Sequence, residues 1–391
     1  MDEIKQAFVG YFKSGEKEKG QERFGLELEH FIVDDQLKNA SYRGCIDGIL
    51  AELTAHSSDS EIEDGFLFAV RSDDLALTLE PGAQLELSLM PKSRISDIER
   101  LYQRFEAMIG PPLKRRGLKL HRSGYAPRSR SSEIELLPKK RYRFMDSYFL
   151  NTGGSGRHMM RATASCQLSV DYTSEKDFVE KFRLANALSP VLAFMMDNSD
   201  VFEGRPYKKP LLRTRIWGDV DPARCGTVPG LFDESFGYEA YADYTLSAPA
   251  IFTKRGGVYG DAGQASVREA LSEHFDEKSD VELYTSLLFP DVRLRTYIEL
   301  RFSDSADTAK TLFFVALIKG VFADISRFEP IKRYYSGKNI REANEEIMRN
   351  GLSATVYGLP VSEFMRWLIE AAKEGLPLDE RYYLEQDDSD A

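Results

Sequence analysis

Four stretches of the chain alternate apolar and polar residues with period two: FGLELEHFIV (24–33), QLELSL (84–89), RATASCQLSVDY (161–172) and RLRTYIELRFS (293–303). Successive side chains of a strand point to opposite faces, so each stretch sorts into two sides. In the first, Phe24, Leu26, Leu28 and Ile32 share a side, and Glu27 and Glu29 point the other way. In the second, Leu85, Leu87 and Leu89 oppose Gln84, Glu86 and Ser88. In the third, Ala162, Ala164, Cys166, Leu168 and Val170 oppose Thr163, Ser165, Gln167 and Ser169. In the fourth, Leu294, Ile298, Leu300 and Phe302 oppose Arg293, Arg295, Tyr297, Glu299 and Arg301. Glu80, just before Pro81-Gly82, adds a carboxylate near the second stretch.

A sheet with one face in water carries Glu or Arg there without any function. Glutamate is nevertheless depleted in strands, and here it recurs. Neighbouring carboxylates repel unless a cation sits between them. Oxygen-only clusters suit hard ions such as Mg2+, which also hold waters and substrate phosphates.

Helical spacing runs through 95–108 and through 340–350 and 361–374, with Gly351 and Gly375 as stops. Ser174 and Asp177 form a capping pattern before FVEKFRLANALSPVLAFMM, a helix expected to bend or break near Pro190. Another apolar helix is expected over 306–328, and a short amphipathic one at the N-terminus. Strands and helices mix without a strand–helix–strand rhythm, which predicts an α+β fold: a largely antiparallel sheet with helices on one face. No linker or repeat divides the chain. One domain over 1–391 is expected, with core motifs at about 20–305, a helical part at 306–380 and an acidic tail at 381–391.

Several function classes are disfavoured. A net charge of -11 argues against a nucleic-acid binder and against anionic membrane surfaces. No stretch approaches the roughly 20 apolar residues of a membrane span. Cys45, Cys166 and Cys225 form no CxxC pair, which fits a reducing, cytoplasmic setting. There is no P-loop and no G-x-S-x-G, and GGSG at 153–156 reads as a turn or substrate loop. The histidines lack i,i+4 pairing and read as surface or core residues.

At its acidic strands the chain resembles the plant-type glutamate–cysteine ligases. FGLELEHF, TLEPGAQLELS, LLPKKRYRFMDSYF, GRHMMRATASCQLSVDY, RTRIWGDVDPARCG, LFDESFGYEAYADY and LLFPDVRLRTYIELR resemble that family's blocks in order, across roughly residues 20–305. The resemblance implies a fold akin to the catalytic domain of glutamine synthetase, an antiparallel sheet curved into a funnel and backed by helices. It implies ATP, L-glutamate and two or more Mg2+ ions, for which Mn2+ can substitute. Matched motif by motif, Glu27, Glu29, Glu80, Glu86 and Glu299 fall on metal-binding acids, and Arg301 falls where an arginine meets the transferring phosphoryl group. Arg293 and Arg295, on the same predicted face, are further phosphate candidates. Arg141, Met159, Met160, Thr163, Gln167 and Arg213 fall in blocks associated with glutamate. The implied reaction activates the glutamate side chain as an acyl phosphate and joins it to an amine, with L-cysteine leading. Only small-molecule partners are expected, in a monomer or homodimer.

The chain also departs from the pattern. It reads DVELY where the family has Asp-Trp-x-x-His, placing Val281 and Tyr284 there; Ser169 replaces an Asn, and FSDSADTAK replaces a glycine-rich segment. These changes predict a relaxed amine pocket with Val281 and Tyr284 in its wall. Two other readings stand beside the first: a ligase with the same glutamate half-site and another amine, and a weakly catalytic metal- or glutamate-binding relative.

Overall fold

The computed structural model describes residues 2–385. Among them, nine strands form one sheet: β1 (Phe24–Val33), β2 (Asp59–Glu63), β3 (Phe66–Arg71), β4 (Leu75–Leu79), β5 (Leu85–Leu89), β6 (Lys119–His121), β7 (Ser165–Val170), β8 (Val292–Leu294) and β9 (Ile298–Asp304). Their spatial order is β8-β9-β7-β1-β5-β4-β3-β2, with β6 paired to the end of β1. Every pairing in this sheet is antiparallel. The helices are α1 (Glu3–Lys13), α2 (Asp47–Leu53), α3 (Ile95–Arg115), α4 (Lys140–Phe149), α5 (Gly156–Ala162), α6 (Glu175–Met195), α7 (Leu212–Trp217), α8 (Tyr238–Ser247), α9 (Val267–Ser272), α10 (Glu277–Ser286), α11 (Thr308–Ala323), α12 (Gly337–Asn350) and α13 (Val361–Gly375).

The alternation fixes which face is covered. Leu26, Leu28, Leu85, Leu87, Cys166, Leu168 and Leu300 are buried, and α3, α6 and α11 pack against their strands. Each buried leucine contributes about 1.5–3 kcal/mol, and a one-residue slip of β1 would exchange its leucines for Glu27 and Glu29. Register is therefore strongly specified. One apolar cluster runs from Ala7 to Leu384.

Local structure departs from the sequence expectations at several points. RLRTYIELRFS is a hairpin, not one strand: the chain turns at Arg295–Tyr297, where the Arg295 amide donates to the Tyr297 carbonyl at 2.8 Å. Because cross-strand partners share a face, Arg293 and Glu299 still point the same way. The third stretch begins as helix α5; the Thr163 hydroxyl donates to the Met159 carbonyl at 2.7 Å, and the strand starts only at Ser165. Helix α6 runs unbroken through Pro190. Proline leaves the Asn186 carbonyl without its usual amide, and the Ser189 hydroxyl donates to that carbonyl at 2.9 Å instead. The helix expected over 306–328 ends at Ala323, because Asp324 leaves helical backbone angles and its carboxylate caps a 3-10 segment, Ile325–Tyr334. Of the acidic tail, residues 386–391 lie outside the described residues.

Helices also reach the polar side of the sheet. The short helices α4, α5 and α7, with α10, stand over that face and close it into a cavity. The expectation of helices on one face only missed them.

Candidate active site

The sheet register lays out the polar face in rows. Glu29 pairs directly with Glu86; one step along β1, Glu27 lies between Ser88 and Gln167. One step further, Gly25 is opposite Ser169, Ser169 is opposite Glu299, and Glu299 is opposite Arg293. Above these rows lies a cavity of about 450 Å3. All five acids of the sequence analysis, Glu27, Glu29, Glu80, Glu86 and Glu299, line it, as do Arg293, Arg295 and Arg301. So do Arg141, Met159, Met160, Thr163, Gln167 and Arg213.

Electrostatics divide the cavity. Burial pushes the Glu27 carboxyl up to about 7, with repulsion from Glu299 adding to it against the pull of Arg295, Arg293 and Arg301. Burial, then repulsion from Glu80, likewise raises Glu29 to about 7, although Ser165 donates to it through both its amide and its hydroxyl at 2.8 Å. Glu86 is raised well above the ordinary carboxylate range by burial and by Glu27, Glu80 and Glu29. Like charges opposite each other in a sheet are destabilising, and Glu29 with Glu86 is such a pair.

Glu299 behaves differently. Burial alone would raise it, but Arg293, Arg301 and Arg295 outweigh burial and hold its carboxyl at about 2. Arg293 grips both of its oxygens, at 2.6 and 3.1 Å, and Arg301 adds a contact at 3.2 Å. Glu299, expected among the metal acids, has both its oxygens engaged by arginines and anchors Arg293 and Arg301. Gln167 joins the two halves: its carbonyl accepts from Arg301 at 2.5 Å and its amide donates to Glu29 at 3.1 Å.

Other buried donors lining the cavity have no partner among the described residues: Nε of Arg141, Nε of Arg213 and the indole Nε1 of Trp217. Buried donors are normally satisfied, so these groups are suited to a ligand's carboxylate. Arg213 is also placed by its Nη1, which donates to the Arg301 carbonyl at 2.7 Å, and by its stacking 5.4 Å from the Trp217 ring. The sequence analysis missed Trp217; its position four residues after Arg213 at the end of a short helix was the available signal. The Glu80 carboxylate is held by a tight turn, in which Ala83 donates to the Glu80 carbonyl and Gln84 ties the loop to Thr163. Gly82 is required there, because a Cβ would lie 2.3 Å from the Arg161 carbonyl oxygen.

The donor chemistry fits a hard divalent cation. Glu27, Glu29 and Glu86 are oxygen-only, crowded and raised in pKa, which is what a missing positive charge produces. The side chains are not drawn around one point: among the described residues no three acidic, histidine or cysteine side chains are close enough to hold an ion as they stand. Two of them have partners of their own, Ser165 for Glu29 and Thr78 for Glu86.

The expected amine wall is corrected. Val281 and Tyr284 are buried on the inward side of α10, and the Tyr284 hydroxyl donates to the Phe252 carbonyl at 3.3 Å. The helix instead presents Lys278, Ser279, Glu282, Leu283 and Ser286 to the cavity. The FSDSAD segment is packed as well, with Ser305 donating to the Glu29 carbonyl and Asp304 accepting from Ser199. His30 is a core residue between Leu85 and Tyr102, and burial pushes its pKa down to about 3.

The model of glutamate–cysteine ligase family 2 matches residues 23–382. Among curated proteins, the chain is 29% identical to the chloroplastic glutamate–cysteine ligase B of Oryza sativa subsp. japonica, over 95% of this chain and 77% of that one. It is 28% identical to the chloroplastic enzyme of Nicotiana tabacum, over 95% and 73%. Among solved structures, a glutamate–cysteine ligase from Francisella tularensis in complex with AMP superposes with a TM-score of 0.54 at 13% identity, covering 93% of this chain and 80% of that one. The antiparallel sheet with its helices is thus a fold shared with that enzyme.

Proposed function

The chain belongs to glutamate–cysteine ligase family 2, and on that footing we propose that its cavity forms a γ-glutamyl amide from L-glutamate and L-cysteine at the expense of ATP. The observation that carries the chemistry is the juxtaposition, one and two strand rows apart, of the Glu27 and Glu29 carboxylates, raised to about 7, and a three-arginine cluster around Glu299. Such a site suits a reaction whose charge lies on phosphates.

A carboxylate resists attack by an amine until one oxygen becomes a leaving group. The γ-carboxylate of glutamate attacks the γ-phosphorus of ATP, the bond to the β-phosphate oxygen breaks, and ADP leaves. The amine nitrogen then attacks the acyl carbon, inorganic phosphate departs, and the nitrogen gives up a proton. Arg301 offers its planar fork to the phosphoryl oxygens in flight, while Glu299 and Gln167 hold it in place. Arg293 and Arg295 flank the phosphate path. Arg213, Arg141 and Trp217, with their unpartnered donors, receive the α-carboxylate of glutamate. Thr163, Met159 and Met160 shape the surrounding wall. Glu27, Glu29, Glu80 and Glu86 would hold Mg2+, which when bound offsets phosphate charge.

Incubation of the protein with Mg2+, ATP, L-glutamate and a panel of amines tests this reading. ADP and a γ-glutamyl product are expected only when all components are present. Formation of AMP and pyrophosphate overturns the acyl-phosphate route, and a product with other amines but none with cysteine reassigns the acceptor.

A further inference from the structure

Arg213 and Trp217 both stand on α7, a helix of only six residues. Isolated helices shorter than about 12 residues are marginal in water, so the aim of Arg213 depends on what holds the ends of α7. The start is unusual. Leu211, the residue before α7, is buried and left-handed, at φ 59° and ψ 41°. The Cβ of an L-residue is crowded there, and a non-glycine residue keeps that conformation only when its surroundings over-determine it. Burial of the Leu211 side chain is one part of that hold. A polar hold comes from further back in the chain: the Leu211 amide donates to the carboxylate of Asp197 at 3.1 Å.

Asp197 lies in the loop that follows α6, and that loop is pinned to the end of β9. The Asn198 amide and the Ser199 hydroxyl donate to Asp304 at 2.9 and 2.6 Å. The Asn198 side chain donates to the carbonyls of Arg122 and Ser305 at 3.0 and 2.9 Å. Asp304 is buried, and Gly124 leaves it room, since a Cβ there would collide with its carboxylate. Asp304 is in turn the carboxylate that acts most strongly on the Arg213 guanidinium, ahead of Glu29 and Asp291. The two aspartates thus serve one arginine, Asp304 through its charge and Asp197 through the helix. Their proximity works against the fold. Burial, then repulsion from Asp304, raises Asp197 to about 7, although the Leu211 amide favours its ionised form. An apolar residue at 197 would avoid that repulsion. What it would not supply is the acceptor oxygen.

We propose that Asp197 is a positioning residue for glutamate: by accepting from the Leu211 amide it fixes the left-handed entry to α7, and with it the aim of Arg213 and Trp217 at the substrate's carboxylate. Asp197 acts through α7 and not by contact with substrate. The assignment rests on the ligase reading, in which Arg213 and Trp217 bind glutamate.

The test compares Asp197→Ala with Asp197→Asn, which keeps an oxygen acceptor and removes the charge beside Asp304. Calorimetry measures the binding of L-glutamate and of Mg·ADP, and steady-state kinetics give kcat and the KM for each substrate. Asp197→Ala is expected to weaken glutamate binding and raise its KM by about tenfold, the scale of one lost capping contact. Mg·ADP affinity, the KM for ATP and kcat at saturating glutamate should stay within twofold. Asp197→Asn should keep every constant within twofold and melt at or above the wild-type temperature. Glutamate affinity within twofold of wild type in a folded Asp197→Ala protein overturns the assignment. So does an equal loss for glutamate and nucleotide, which marks general damage to the structure. Impairment of Asp197→Asn equal to that of Asp197→Ala overturns it as well, because the charge and not the acceptor would then be at work. If thermal melting shows that Asp197→Ala does not fold, Asp197→Ser takes its place: its hydroxyl is one bond shorter, falls short of the Leu211 amide and carries the same expectation. A wild-type protein that binds glutamate but forms no product sinks the ligase reading, and the calorimetric comparison still decides this assignment. A wild-type protein that binds no glutamate sinks both.

Discussion

Replacing Glu27 by glutamine separates what the acidic face costs the fold from what it supplies to catalysis. The Glu27 carboxyl is raised from 4.5 to about 7, chiefly by burial and then by Glu299. A carboxyl raised in the folded state binds its proton more tightly there than in the unfolded chain. Stability is therefore fully present below pH ~4.5 and is lost as the pH rises to ~7. At ~1.4 kcal/mol per pH unit, a rise from 4.5 to about 7 caps the loss by pH 8 at roughly 3 kcal/mol. Glu27 is only partly buried, and water in the cavity screens it, so the realised cost is lower. Glutamine has the shape of the protonated acid, so Glu27→Gln is expected to gain about 1–2 kcal/mol at pH 8 without divalent cations, and nothing below pH ~4.5. Urea denaturation at the two pH values measures this, with the slope m unchanged. Addition of Mg2+ should stabilise wild type more than the variant, and turnover should fall by about a hundredfold or more as phosphate charge loses its counterion. No gain at pH 8, or the same gain at pH 4, refutes the reasoning.

Arg301→Lys keeps the charge and loses the fork held by Gln167 and Glu299, so kcat should fall by about a hundredfold with the fold intact by circular dichroism. Arg213→Ala should raise the KM for glutamate by about tenfold or more while leaving the KM for ATP near wild type; unchanged constants would remove it from the substrate site. Gly82→Ala forces a methyl against the Arg161 carbonyl and should cost about 1–3 kcal/mol in urea titration, with loss of activity as Glu80 is displaced. In a competition assay with equal concentrations of amines, the preference for cysteine over 2-aminobutyrate should stay below roughly a thousandfold, because apolar contacts discriminate by only about 1–3 kcal/mol per methylene.

The strands carrying Glu27, Glu29, Glu86 and Gln167 were legible because period two ties a buried leucine to each polar neighbour. Their convergence on one surface follows once they share a sheet, since the face is dictated by the leucines and not by the acids. The meander β2–β4 was not singled out. In β2 the alternation is weak, and its residues are mostly exposed, so burial left little pattern to read. The hairpin at Arg295–Tyr297 was hidden for the opposite reason. Arg-Thr-Tyr contains no glycine, proline or asparagine to mark a turn, and a straight strand and a folded one place Arg293 and Glu299 on the same face alike. Arg293 and Glu299 line the cavity together despite the misread local structure, because a hairpin of this register leaves both on one face.

Helix α10 shows where a motif comparison outran the physics. Val281 and Tyr284 differ from the family pattern, and that difference alone made them candidates for the amine wall. Their spacing of three places them on one side of a helix, and both are apolar enough to choose the interior. Lys278, Glu282 and Ser286 stand four apart on the opposite side, and these face the cavity. A departure from a motif bears on specificity only if the side chain reaches the substrate, and here the replaced tryptophan and histidine positions point away from it. On the proposed ligase reading, acceptor choice would come from the outward stripe of α10, where Lys278 could offer a cation to an amino acid's carboxylate and Glu282 engages Arg295 at 2.6 Å. On the same reading, Glu282 would link the helix on the acceptor side to an arginine on the phosphate side, through an exposed ion pair of the kind that contributes only about 0–1 kcal/mol.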